Sequence, residues 1–315
     1  MESKTQNQRR AVIDVGSNSV KLLVADCAGA AITPLHHAGE QTRLGQGVFA
    51  SGLLQPEPIA LTARAVAEFA VQARRLEAQS IRVLATSAAR EARNGGELIA
   101  AVRVASGLEL DILSADEEAR LVLAGVRSTP GLSNSAFVAV DLGGGSAELL
   151  VARGEEVFLQ QSFALGTVRW LEQMPPADPP TAADWHRAQE SIGGFLRENI
   201  MPCAVPAIAA AGGVVSLIGA GGTPVFLLRV LVGRSHLSIA ELENGRMDFG
   251  QIETLTAQLW SMPMAARQRL PGLPANRADV ILFGAAIYCV LMQKLGFREL
   301  RPTLRGLRYG ALLAQ

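Results

Sequence analysis

The stretch VAVDLGGGSAELLVA at 138–152 decides how this chain is read. An apolar run ends in Asp141, Gly143, Gly144, Gly145 and Ser146 follow, and Glu148 precedes a second apolar run. The pattern predicts strand, tight turn, strand, with a carboxylate on each side of a bare backbone loop. Glycines have no Cβ, so an anion can come close to their N–H groups. Asp141 and Glu148 are hard oxygen ligands, suited to Mg²⁺ on a phosphate.

The same pattern occurs earlier, as AVIDVGSNSVKLLVA at 11–25. A shift of 127 (141 − 14) places Asp14 on Asp141, Gly16 on Gly143 and Ser19 on Ser146, and Leu22, Leu23, Val24 and Ala25 fall on identical residues. Seven matches in fifteen positions without a gap indicate a duplication. The period is far longer than that of a solenoid, so the repeat predicts two related domains. A length of 315 residues agrees. The boundary is expected at 128/129, where Pro130, Gly131 and Ser133 suggest a hinge, with the last helix free to pack back on the first domain.

Composition narrows the function. The formal net charge is zero, so no global basic field marks a nucleic-acid binder. The cysteines Cys27, Cys203 and Cys289 are far apart and form no CxxC pair. Without a recognisable signal peptide, a cytoplasmic location is expected. Positions 203–228 carry no charge, long enough to span a bilayer, but Pro206, Pro224 and five glycines interrupt them. A buried strand, a glycine turn and a buried helix explain that stretch better, and no membrane partner is expected. His36 and His37 are adjacent on a predicted strand and point to opposite faces, so they cannot pair on a metal.

Around the repeat, short apolar runs alternate with helical periods. Pro56 and Pro58 open a helix over 56–79, IRVLAT at 81–86 reads as a strand, and 87–107 as loop and helix broken at Gly95–Gly96. Ser114 caps a helix whose first turn holds Asp116, Glu117 and Glu118. The end of the chain reads as a long buried helix, a short strand and a final helix. Hairpins followed by alternating strands and helices indicate an α/β fold in each half. The cleft between the halves is the expected site.

Two such hairpins resemble the actin, sugar kinase and Hsp70 superfamily, built on ribonuclease H-like (actin-like) domains flanking a cleft. The ordered set DVGSNSVKLLV, TRLGQG, ATSAAREARN, SADEEARLVLAGV, DLGGGSAELLV, ALGTVR, NRADVILFGA and GLRYG narrows this to a resemblance to the exopolyphosphatase and guanosine pentaphosphatase family, covering about 11–313. The resemblance implies roles by position. Asp14, Gly16, Ser17, Asn18 and Ser19 match a first phosphate loop, and Asp141, Gly143, Gly144, Gly145 and Ser146 a second. Asp14 and Asp141 would hold Mg²⁺. Glu118 matches the residue taken as catalytic and Glu148 a further acid near metal and water, while Arg43 and Arg90 match positions suited to phosphate contact. From periodicity alone Asp116, Glu117 and Glu118 are equally suited to a helix N-terminus; only the resemblance singles out Glu118. Lys21 either reaches phosphate or points to solvent. Two departures stand out: Val214 in AAAGGVVSLIGA, where a hydroxyl is expected, and Tyr309, where glutamate is frequent.

The implied activity is Mg²⁺-dependent release of orthophosphate from the end of inorganic polyphosphate, by a homodimer. Longer family members add a C-terminal helical module; the resemblance here is to the short, two-domain form, so short chains are the expected substrates. The near alternative is hydrolysis of guanosine pentaphosphate (pppGpp) at its 5′ end. A non-catalytic regulator that binds polyphosphate or (p)ppGpp is the alternative of another class, and retention of Asp14, Glu118, Asp141 and Glu148 argues against it. A kinase of the same fold would need an acceptor-binding insertion and a purine pocket, and the sequence suggests neither.

Overall fold

The computed structural model describes residues 8–132, 134–213 and 215–315. Ser133 of the expected hinge and the departure at Val214 lie outside the described residues. The chain divides into two compact units, one formed by the residues up to Ser128 with Gly306–Gln315, the other by Thr129–Arg305.

In the first unit β1 (Gln8–Val15), β2 (Ser19–Ala28) and β3 (Ala31–Gln41) form an antiparallel meander. A short α1 (Val48–Ser51) leads to α2 (Pro56–Arg75), β4 (Ser80–Ala85), α3 (Ser87–Glu91), α4 (Gly95–Ser106), β5 (Leu110–Ile112) and α5 (Ala115–Arg127). The sheet order is β3-β2-β1-β4-β5, with β4 and β5 parallel to β1. α2 starts at Pro56, where the first turn needs no donor. It buries Ile59, Ala63, Val66, Phe69, Ala70 and Ala73, one stripe at helical spacing. The break before α4 lies at 92–94, not at Gly95–Gly96, and Gly95 opens the helix. Asn94 explains the shift: its amide group accepts from Leu54 N (2.8 Å) and donates to Leu54 O (3.0 Å), which holds the chain in a turn there.

The second unit repeats the plan. β6 (Ala136–Leu142), β7 (Ala147–Arg153) and β8 (Glu156–Phe163) form its meander. They are followed by α6 (Thr167–Gln173), α7 (Ala182–Phe195), α8 (Met201–Ala211), β9 (Val215–Ala220), α9 (Gly222–Leu231) and α10 (Ile239–Asn244). The unit is completed by β10 (Met247–Asp248), α11 (Phe249–Ser261), α12 (Met264–Arg267), α13 (Ile281–Leu295) and β11 (Glu299–Thr303). The order is β10-β11-β9-β6-β7-β8, with β9 and β11 parallel to neighbours as β4 and β5 are. The likeness reaches a detail: β2 shifts register against β3 between Val24 and Ala25, and β7 against β8 between Val151 and Ala152. These bulges are again 127 positions apart.

The uncharged stretch departs from its expected reading in one part. Residues 201–211 form α8, continuing α7 through a π-turn at Leu196–Ile200, and the strand begins only at Val215. Pro202 sits in the first turn of α8, so only Pro206 removes an interior donor. Among the described residues no helix is long and apolar enough to cross a membrane. Finally α14 (Leu307–Leu313) returns to the first unit and packs on α5. The two backbones touch: a Cβ on Gly310 would overlap the Leu121 carbonyl, and one on Gly125 the Gly306 carbonyl.

Candidate active site

In the first unit the turn after β1 is closed by Gly16 N–H donating to Ser19 O (3.0 Å). Its other carbonyls are held from the segment after β3. Gly45 N–H donates to Ser17 O (2.6 Å), and the Thr42 and Arg43 N–H groups both donate to Asn18 O (3.2 and 3.1 Å). In a trans peptide the next N–H points opposite to the carbonyl. Holding Ser17 O and Asn18 O therefore turns the Asn18 and Ser19 N–H groups away from residues 42–45. Gly45 is tightly constrained, because a Cβ there would lie 2.8 Å from Ser17 Cβ. Asn18 accepts from Gln41 Nε2 (3.0 Å) through Oδ1, while its buried Nδ2 has no hydrogen-bond partner among the described residues. An unmet buried donor costs about 1–3 kcal/mol, which an anionic ligand oxygen would offset. Arg43 has φ 52°, a left-handed conformation unusual for a side chain this size. It lines a depression of about 560 Å³ with Gln41, Gln46, Gln55 and Glu57.

The second unit builds the equivalent turn with bare glycines. Gly143 N–H donates to Ser146 O (2.9 Å). Gly143 O accepts from Thr167 N–H (3.0 Å), and Gly144 O from the N–H groups of Val168 (2.8 Å) and Arg169 (3.1 Å). Gly145 O accepts from the Arg169 side chain, Nε at 2.8 Å. The first turn of α6 thus holds every carbonyl of the glycine run. Gly166 is the counterpart of Gly45, since a Cβ on it would overlap the Gly144 carbonyl.

The carboxylates differ between the units. Asp14 faces Lys21 across β1 and β2, whereas Asp141 faces Glu148 across β6 and β7. Directly opposed cross-strand residues share a face with Cβ atoms about 5 Å apart, and like charges there are destabilising. Glu148 is 3% exposed and accepts from Ser162 Oγ (2.8 Å) on the neighbouring β8. A half-buried carboxylate, Asp141, facing a buried one, Glu148, fits a hard cation well; a carboxylate facing an ammonium fits one less well. Among the described residues no three acid, histidine or cysteine side chains gather into a ligand set. An ion on Asp141 and Glu148 would keep most of its positions for water and phosphate, as Mg²⁺ prefers. Tyr288, fully buried on α13, donates to Val140 O (3.0 Å) and steadies the end of β6. Burial first, and the Asp141 charge second, push its phenol well above the ordinary range, so it stays a neutral donor.

Glu118 follows the capping box of α5, in which Ser114 Oγ accepts from Glu117 N–H and the Glu117 carboxylate accepts from Ser114 N–H. It is 6% exposed. Arg90 Nη1 donates to Glu118 Oε2 (2.7 Å) and to Leu113 O (3.0 Å). Arg90 and Glu118, which the sequence offered separately as a phosphate contact and a catalytic group, are therefore joined in one ion pair.

Sequence reasoning missed Arg169, Gly166, Ser162 and Tyr288. It also sought a glycine turn with a hydroxyl at AAAGGVVSLIGA, around Val214. Gly212 ends α8, whereas the turn beside Asp141 is Gly221-Gly222-Thr223, immediately after β9. Gly221 has φ 88°, and a Cβ there would lie 2.8 Å from Asp141 Oδ1, so only glycine suits the position. Thr223 carries a hydroxyl in that turn.

Taken by fold and site, this is a two-unit α/β protein whose duplicated hairpins each turn backbone donors away from a fixed carbonyl side. The sequence model of the Ppx/GppA phosphatase family matches residues 23–315, and the chain belongs to that family. Exopolyphosphatase 2 of Mycobacterium tuberculosis (strain ATCC 25618 / H37Rv) is 33% identical over 298 residues, covering 91% of either chain. The crystal structure of the Aquifex aeolicus Ppx/GppA family member is 25% identical with a TM-score of 0.78, covering 98% of this chain and 97% of that one. An exopolyphosphatase from Cytophaga hutchinsonii superposes with a TM-score of 0.86 at 21% identity, over 97% of this chain and 96% of that one, a likeness of fold.

Proposed function

We propose that this chain is an Mg²⁺-dependent exopolyphosphatase that hydrolyses the terminal phosphoanhydride of short inorganic polyphosphate and releases orthophosphate. The observation that carries the reading is the pair of hairpin turns with their carbonyls tied back, which suits each to an array of phosphate oxygens. Phosphoryl transfer needs positioning, charge neutralisation and an oriented nucleophile more than covalent help from the protein. Glu118, oriented by Arg90 through Oε2, takes the proton of the attacking water. The water oxygen bonds to the terminal phosphorus as the bridging P–O bond breaks, and the shortened chain leaves with the bridging oxygen. Asn18 Nδ2 and the N–H groups of its own turn suit non-bridging phosphate oxygens. Mg²⁺ on Asp141 and Glu148 would neutralise phosphate charge when bound. Membership of the family and the likeness to exopolyphosphatases support a hydrolase.

The second reading, hydrolysis of guanosine pentaphosphate, is favoured by the depression beside the first turn. Its three glutamine amides offer donors and acceptors to an uncharged heterocycle as well as to phosphate. Orthophosphate release should be followed with Mg²⁺ from tripolyphosphate, long polyphosphate and guanosine pentaphosphate in parallel. Tripolyphosphate turning over fastest supports the first reading, and guanosine pentaphosphate doing so supports the second. Tight binding without release from any of the three would make the chain a sensor rather than an enzyme.

A further inference from the structure

We propose that Arg169 is the positioning residue of the second glycine turn, an inference that rests on the reading of that turn as a phosphate site. Four backbone N–H groups, those of Thr167, Val168, Arg169 and the closing Gly143, account for Gly143 O, Gly144 O and Ser146 O. The remaining carbonyl, Gly145 O, is held by the side chain of Arg169. The first turn needs no such help, because backbone N–H groups of residues 42–45 hold both Ser17 O and Asn18 O.

The consequence follows from peptide geometry. The Gly145–Ser146 peptide is a rigid plane, with C=O and N–H pointing in opposite directions. Fixing Gly145 O toward α6 fixes the Ser146 N–H away from it. A run of three glycines has no side chains to resist a peptide flip, and glycine tolerates the flipped backbone readily. Losing the Nε–H···O bond would let the Gly145 carbonyl turn toward a bound phosphate, replacing a donor with a repelling acceptor. Arg169 is only 9% exposed, so its guanidinium is held in place rather than sampling solvent.

The test uses Arg169→Ala and Arg169→Lys in the full chain, with tripolyphosphate and Mg²⁺. Hydrogen bonds to charged groups of this kind predict that R169A loses about 10- to 100-fold in kcat/KM. The loss should fall mainly on KM, because the turn holds ground state and transition state alike. R169K should recover part of it, since an ammonium can reach one carbonyl but lacks the fixed fork. Hydrogen exchange across 143–146 should be slowed by tripolyphosphate in the wild type and in R169K but not in R169A. A merely structural role would lower the active fraction, and thus kcat, and leave KM unchanged; that result overturns the inference. Equal slowing in R169A and wild type overturns it as well. Wild type that neither releases phosphate nor shows slowing would bring down the phosphate-site reading itself and this inference with it. Should R169A fail to fold, a wild-type KM for folded R169K would still contradict the inference, and a raised one would uphold it.

Discussion

The two hairpins share a backbone and divide the chemistry. Both close on a glycine N–H, both have their carbonyls held from the segment after the third strand, and both admit that segment only through a glycine, Gly45 or Gly166. They differ in what they carry. The first turn is rich in side chains, and its Asp14 faces Lys21; the second is bare, and its Asp141 faces Glu148. A duplicated scaffold keeps its backbone because the donor array depends on it. Its side chains are free to specialise, here as one turn beside an aspartate–lysine pair and one beside a pair of carboxylates. Glu118, proposed above to activate water, belongs to neither hairpin and sits at the start of α5.

Variants can press on this division, from the largest expected effect down. Glu118→Gln keeps the shape and can still accept from Arg90, so the protein should fold, while kcat falls by about 10²–10⁴ as expected for a lost general base. Full activity in E118Q, measured by orthophosphate release, would remove Glu118 from that role. Gly166→Ala displaces the bare turn, and a misplacement near 1 Å can cost about 10²-fold in kcat/KM. Gly45→Ala should cost less, on the order of tenfold, because its nearest neighbour is a Ser17 Cβ at 2.8 Å rather than an overlapping carbonyl. If the order were reversed, the two clamps would not be equivalent in the way described. Gly310→Ala acts on stability instead: overlap with the Leu121 carbonyl should destabilise the first unit by about 3 kcal/mol in denaturant titration.

The smallest effect concerns the helix that presents Glu118. Hydrogen bonds from the Ser114 backbone and side chain hold the Glu117 carboxyl below its ordinary value of 4.5. A group whose folded pKa is depressed contributes stability above its unfolded value and loses it as pH falls through the folded value. The difference in melting temperature between wild type and E117Q should therefore be constant from pH 7 to about 5 and shrink as the pH falls below the ordinary value of 4.5. At pH 7 E117Q should keep kcat within about twofold, unlike E118Q. A difference that grew on acidification would show that Glu117 is not the cap described.

Much of this was legible in the sequence because it rests on periodicity and repetition. The Asp-Gly-Ser repeat disclosed both hairpins and their spacing, and Ser114 with Glu117 marked the start of α5. The roles of Arg169, Gly45 and Gly166 were not legible, since a hydrogen bond to a backbone carbonyl leaves no period and imposes no residue pattern on its partner. The Arg90–Glu118 pair spans 28 positions and two elements, so only the folded chain brings it together. The glycine turn beside Asp141 was misplaced because two glycine pairs, Gly212–Gly213 and Gly221–Gly222, lie close together, and only the strand between them, β9, shows which one meets Asp141. The sequence allowed the last helix to pack back on the first unit, but no hydrophobic pattern reports the close backbone approach of Gly125 and Gly306 there.

The proposed cation-dependent phosphohydrolysis, with its cation on the second hairpin, can be followed by orthophosphate release from tripolyphosphate as Mg²⁺ is titrated, in wild type, Glu148→Gln and Lys21→Met. A cation on Asp141 and Glu148 gives no release in EDTA, a half-saturating Mg²⁺ concentration raised about tenfold or more in E148Q, and an unchanged one in K21M, with only the KM for tripolyphosphate altered. Release that persists in EDTA, or a Mg²⁺ requirement that moves in K21M and not in E148Q, would contradict it.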